Sequence, residues 1–225
     1  MSQQSDGKMV RITASDGHEL DCWMQPAQGK RRGGLVVLQE IFGVTDQLKG
    51  VAAHYAGLGL EVAVPALFDR KERGAVIPFG QGPRGRDIML AADLSQTMTD
   101  VDAAVTTLKQ NGGKVVVMGF CWGGGLALRA AQVLDVAGAI SFYGTRLPQY
   151  LDRPLKAPLL CHCGTGDEHV PMEMVEQMKD YLPEAEVQIY EAGHAFANDA
   201  RPSYLPEVAE LAHQRSEAFL AKVLG

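Results

Sequence analysis

The stretch VVVMGFCWGGGLALRAA, Val115 to Ala131, runs an apolar segment into a cluster of glycines and out into a second apolar segment. Its first part is a short continuous hydrophobic run, the pattern of a strand covered on both faces. Its last part reads as a helix. Cys121 stands at the corner, flanked by Gly119 and Gly123. So tight a strand-to-helix bend needs glycine-sized neighbours, because the corner backbone is strained and packs closely against the adjoining elements. One such unit implies an alternating α/β chain.

The alternation extends in both directions. KMVRITASDGHELDCWMQPA reads as two strands joined at the Asp16-Gly17 turn. GGLVVLQE and LEVAVPALF are buried strands, and between them Asp46 is expected to cap a helix over roughly 47–57. Residues 69–85 are rich in glycine, proline and arginine and read as a surface excursion, since strands resume beyond them. A long helix is expected from about Arg86 to Gln110. After the corner come strands AGAISFYG and APLLCHCG, helix VPMEMVEQMKDYL, extended AEVQIYEAG and an amphipathic closing helix LPEVAELAHQRSEAFLAKVL. The pattern predicts one α/β domain over residues 1–225. An N-terminal β-hairpin precedes a mostly parallel central sheet with helices on both faces. Right-handed crossovers then put the chemistry at the carboxyl ends of the strands.

Composition narrows the function classes. Hydrophobic residues make up 46% of the 225 and charged residues 21%, as in soluble globular chains. A net charge of -6 argues against nucleic-acid and anionic-membrane partners. The N-terminus shows no apolar run behind a basic start, so no secretory leader is read, and no segment approaches the ~18 apolar residues of a membrane span. Cys22, Cys121, Cys161 and Cys163 do not form a disulfide framework, so a reducing cytoplasm is expected. A monomer acting on a small molecule, with no cofactor and no metal, completes the expectation.

GFCWG has the form G-x-C-x-G, the nucleophile elbow of α/β-hydrolases with sulfur in place of oxygen. The helix end behind the thiol favours negative charge, hence the nucleophilic thiolate. The competing reading is a buried structural cysteine behaving as a small hydrophobe. Two further residues weigh against it. Asp167 in GTGDEHVP follows one predicted strand, and His194 in YEAGHAF follows the next. Nucleophile, acid, histidine is the chain order of this template. His169, close to Asp167, is the rival base, but it precedes a helix instead of following the last strand. His18, His54 and His213 read as surface or packing residues.

An oxyanion needs donors, and the template takes them from the backbone amides of Trp122 and Ile41. Glu40, at the end of an apolar strand, is costly to bury unpaired and is expected to face the cleft; hydrogen bonding to the loop backbone is its alternative. Phe42, Trp122, Tyr143 and Phe196 lie in the same loops and read either as walls of a small pocket or as core.

Taken together, QEIFGV, GFCWGG, GTGDEHVP and GHAFAN resemble the dienelactone hydrolases (carboxymethylenebutenolidases) over nearly the whole chain. The resemblance implies an α/β-hydrolase fold with Cys121 as nucleophile, His194 as base and Asp167 as orienting acid. It also implies that Glu40 interacts with the resting thiol. The implied reaction opens an activated, carboxylate-bearing lactone or ester through a covalent thioester acyl-enzyme. An esterase or thioesterase acting on another small activated acyl substrate is the alternative. Thiolate attack suits such substrates because a stabilised leaving group departs with little protonation. One position departs from the family. Where the resemblance leads one to expect a carboxylate-binding arginine, this chain has Asn198. Arg201, Arg84 and Arg86 are the candidate substitutes, with solvated surface arginines as the competing reading.

Two readings from other classes remain. Cys161-His162-Cys163 suggests redox or metal chemistry, against which a strand inside a sheet argues. A non-catalytic binding domain that keeps the hydrolase shell has no chemical need for all three triad groups.

Overall fold

The structure, a computed structural model, describes residues 7–225. The reading of a leaderless N-terminus rests partly on the first six residues, which lie outside the described ones. The chain divides into two compact units, Met1–Val115 and Val116–Gly225.

The first unit opens with β1 (Lys8–Thr13) and β2 (Glu19–Gln25), an antiparallel hairpin. Its turn places Gly17 at φ +85°, which a side chain resists. Then follow β3 (Gly33–Leu38), α1 (Asp46–Gly57), β4 (Leu60–Pro65), α2 (Gly82–Ala91) and α3 (Leu94–Lys109). The strand order is β1-β2-β4-β3, with β4 antiparallel to β2 and parallel to β3. All six residues of β3 are buried. Successive side chains point to opposite faces, so an unbroken buried run requires cover on both. Helices α1 and α3 pack on β3 and β4.

Two helix boundaries differ from the sequence reading. Thr45, not Asp46, caps α1, its side chain accepting the Leu48 N–H at 3.2 Å. Asp46 is the first helical residue and pairs with Lys49. The single helix expected from Arg86 to Gln110 is two helices, the first starting within the excursion at Gly82. Ala92 and Asp93 adopt extended backbone angles, and Asp93 accepts the Gln96 N–H at 2.9 Å. An aspartate that offers its carboxylate to the next turn starts a helix more readily than it continues one.

The excursion is anchored at its root. Asp69 accepts backbone N–H groups from Asp21 and Gly74, each at 2.8 Å. Arg70 makes two 2.7 Å bonds to the wholly buried Asp100, which also contacts His18 Nδ1 at 3.1 Å. A buried carboxylate is tolerable only with such pairing. His18, read as a packing residue, thus joins the hairpin turn to α3.

The second unit consists of β5 (Val115–Phe120), α4 (Trp122–Val133), β6 (Gly138–Phe142), β7 (Leu159–Gly164), α5 (Met172–Tyr181), β8 (Glu186–Tyr190) and α6 (Pro206–Leu224). Its strands run parallel in the order β5-β6-β7-β8. Every residue of β5, β6 and β7 is buried, while β8 is exposed or half-buried except at Tyr190. Parallel strands end on the same side, so the loops after β5, β6, β7 and β8 emerge together. Among the described residues, no helix is long and apolar enough to cross a membrane.

Candidate active site

The corner after β5 is as tight as its glycines suggest. Cys121 has φ 54° and ψ -115°, and α4 begins at the next residue. Its N–H donates to Phe142 O at 3.0 Å, and its carbonyl accepts from Gly124 and Thr145, each at 3.0 Å. A Cβ on Gly119 would collide with the Gly123 backbone, and one on Gly124 would press on Gly144. Cys121 is partly exposed, whereas Cys22, Cys161 and Cys163 are buried. Among the described residues, the non-glycine positions at positive φ are Cys121, Tyr143, Arg146 and Ala195. Three of these lie at or beside the predicted site. Strain of this kind, about 1–3 kcal/mol per residue, persists where packing over-determines the backbone.

Asp167 leaves the turn after β7, almost fully buried. Its Oδ1 accepts the N–H groups of His169 at 2.8 Å and Val170 at 3.1 Å. Its Oδ2 lies 2.8 Å from His194 Nδ1. Burial opposes the carboxylate's charge, but the bond to His194, that ring's charge and the two backbone donors outweigh it, holding the acid below its ordinary value.

His194, in the loop after β8, has the Cys121 side chain as a second polar neighbour. Burial works against its imidazolium; the bond to Asp167, the neighbouring Cys121 and the charges of both overcome this and push it up to about 10. Of the three residues selected from the sequence, Asp167 bonds His194 directly and Cys121 neighbours it. Asp167 takes Nδ1, so Nε2 is the ring nitrogen left for another partner.

Two aromatic rings abut His194. Tyr143, wholly buried, lies 5.1 Å away at 65°, and the exposed His169 lies 4.6 Å away at 77°. Phe196, also wholly buried, packs on Tyr143 at 5.2 Å. Tyr143 and Phe196 thus support the histidine. The chain beyond it folds back in successive turns, with bonds from Asn198 N to Ala195 O, Arg201 N to Asn198 O and Leu205 N to Phe196 O. Asn198 is buried, and its Oδ1 accepts the Ala200 N–H at 3.0 Å. It shapes this loop, and Arg201 sits partly exposed three residues on.

Glu40, Ile41 and Phe42 belong to the first unit, in the loop after β3. Glu40 and Phe42 are buried and Ile41 is partly exposed. Gln39, which the sequence reading passed over, secures this loop: its Nε2 donates to Glu40 O at 3.2 Å and its Oε1 accepts the Leu67 N–H at 3.0 Å. A polar residue ending an all-apolar strand was the available signal. Helix α2 brings Gly85 against Ile41, where a Cβ would strike the Ile41 carbonyl. Arg84 and Arg86, on either side of that glycine, are exposed, and Arg84 is paired with Glu72.

The Cys161-His162-Cys163 strand has a different role. Burial pushes the Cys163 thiol up to about 12, with the Asp167 charge assisting, and raises Cys161 well above its ordinary value. His162 Nδ1 lies 2.8 Å from Tyr190 Oη and its Nε2 2.9 Å from Ser216 Oγ. Ser216 Oγ donates to Ala212 O, so it accepts from Nε2–H, and Nδ1 accepts the tyrosine proton. Both ring nitrogens are engaged by hydroxyls.

A model of the dienelactone hydrolase family matches residues 22–224. The chain belongs to that family. It is 29% identical over 224 residues to the carboxymethylenebutenolidase of Pseudomonas putida, covering 94% of this chain and 95% of the relative. A Methylorubrum extorquens protein, provisionally named carboxymethylenebutenolidase, is 32% identical over 221 residues, covering 89% of this chain and 76% of that one. The structure of a provisional dienelactone hydrolase from Klebsiella pneumoniae superposes with a TM-score of 0.79 at 25% identity, covering 95% of this chain and 99% of that one. The chain has the α/β-hydrolase fold expected of it. Dienelactone hydrolase membership supports ester or lactone hydrolysis as its activity class.

Proposed function

We propose that the protein hydrolyses an activated lactone or ester with Cys121 as nucleophile, His194 as proton carrier and Asp167 as the group that orients it. The observation that carries this reading is the partly exposed thiol on a strained elbow, neighbouring a histidine whose Nδ1 is 2.8 Å from a buried carboxylate. A histidine pushed up to about 10 is protonated at neutral pH and keeps a positive charge beside the sulfur.

In the first half-reaction the thiolate sulfur attacks the acyl carbon. A C–S bond forms, the acyl C–O bond breaks, and the imidazolium proton is available to the departing oxygen. The Trp122 amide, at the first turn of α4, is the proposed oxyanion donor. In the second half, His194 takes a proton from water, the hydroxide adds to the thioester, and the thiolate is expelled. Tyr143 and Phe196, wholly buried, are the proposed packing behind His194, and Arg201 is the candidate contact for an anionic substituent.

The chemistry favours stabilised leaving groups, because a thiolate facing a poor one is itself expelled. A small activated ester or thioester is the second reading, and the buried structural role of Asn198 favours keeping it. A hydrolysis panel of dienelactone, simple lactones, aryl esters and acyl thioesters, run with wild type and Cys121→Ala, tests both. Loss of about 10⁴-fold or more in the variant is expected. Equal turnover by both proteins refutes the cysteine mechanism.

A further inference from the structure

We propose that His169 is a positioning residue for His194, its ring holding the imidazole in the orientation that serves Cys121. The inference rests on the reading of these residues as a hydrolytic site and adds a fourth member to it. A histidine ring has a broad, two-fold torsional preference about its last bond, so a single hydrogen bond at Nδ1 leaves it room to tilt. Contacts with other rings narrow that freedom. Tyr143 supplies one from the buried interior, fixed by its place at the end of β6. His169 supplies the other from an exposed loop, at 4.6 Å and 77°, within the separation and near-perpendicular geometry that aromatic pairs prefer.

His169 acts on the site twice. Its backbone N–H donates to Asp167 Oδ1 at 2.8 Å, fixing the carboxylate whose other oxygen holds His194. Its side chain then packs against the ring so held. One residue thus secures both members of the acid–histidine pair. The two contributions separate cleanly, because every substitution except proline keeps the backbone N–H.

The test compares His169→Ala with His169→Phe, which removes the imidazole nitrogens but retains an aromatic ring. Two quantities are read: the alkylation rate of Cys121 by iodoacetamide at pH 7, followed by intact mass, and kcat and KM for p-nitrophenyl acetate. The other three thiols are buried and raised, so one label reports Cys121. His169→Ala is expected to slow alkylation and lower kcat about 2- to 10-fold at unchanged KM, the range of one aromatic pair contact. His169→Phe is expected to restore both to near wild type. The proposal is overturned if His169→Ala matches wild type, if His169→Phe is as slow as His169→Ala, or if the effect falls on KM alone. Should wild type hydrolyse no ester or lactone while alkylation still responds to His169→Ala, the hydrolase reading fails and the positioning role stands.

Discussion

His162 and His194 lie in one compact unit, on β7 and just after β8, and each ring is flanked by polar side chains. They rest in opposite protonation states. His162 sits between two hydroxyls, and burial, followed by the charges of His213 and Arg215, pushes it down to about 3. His194 sits between a carboxylate and a thiol, and is pushed up to about 10 against its own burial. Desolvation opposes the imidazolium in both cases. What differs is whether the partners can be negative. A histidine between hydroxyls fastens strands and a helix, whereas one between acids stores a proton beside a nucleophile.

Separating the two roles is the sharpest way to break the comparison. His194→Ala should lower hydrolysis by about 10⁴-fold or more and slow Cys121 alkylation, while the urea midpoint moves comparatively little. Asp167→Asn should cost about 10⁴-fold in kcat, because an amide no longer enforces the ring tautomer that leaves Nε2 to the thiol. If Asp167→Asn retained wild-type kcat, the orienting role would be wrong.

The pH dependence of stability should then show the histidines acting on opposite limbs. His162 is depressed when folded, so the unfolded chain binds its proton first. Stability is full above the unfolded value of ~6.5 and falls as pH drops toward 3, by up to roughly 5 kcal/mol. Asp167, also depressed, adds to this acid loss. His194 is raised, so its contribution is full below ~6.5 and is lost as pH climbs toward 10. Urea midpoints measured from pH 4 to pH 9 should give a maximum near neutrality. His162→Gln should flatten the acid limb and leave the alkaline one, with kcat per folded molecule within a few-fold of wild type. An acid limb unchanged in that variant would remove His162 from the account.

The smallest expected effect refines the structural side. Tyr190→Phe removes the donor to His162 Nδ1 and should cost about 1–2 kcal/mol in unfolding free energy. A collapse of kcat with little change in stability would instead tie Tyr190 to the chemistry.

Much of this molecule is legible from residue order. The hairpin, the apolar strands and the closing helix follow from periodicity and turn residues, and Gly119-Phe120-Cys121-Trp122-Gly123 announces its own bend. Asp167 and His194 were located because each follows a strand, and parallel strands deliver such loops to one side. The break between α2 and α3 was missed because an aspartate amid helix-compatible neighbours looks like a surface residue until its carboxylate is seen on the Gln96 amide. Gln39 was missed because its value lies in a partner 28 residues away. His169 was considered only as a rival base, since a ring contact leaves no mark in spacing.

By itself the sequence determined the elements, the strained corner and the chain order of thiol, carboxylate and imidazole, all of which follow from local conformational preference. Tertiary structure alone decided which histidine carries a proton and which is locked neutral, and that Asn198 shapes a loop. Protonation depends on what surrounds a ring, and those polar partners come from segments 27 or more residues away. Folding, not sequence proximity, sets them beside it.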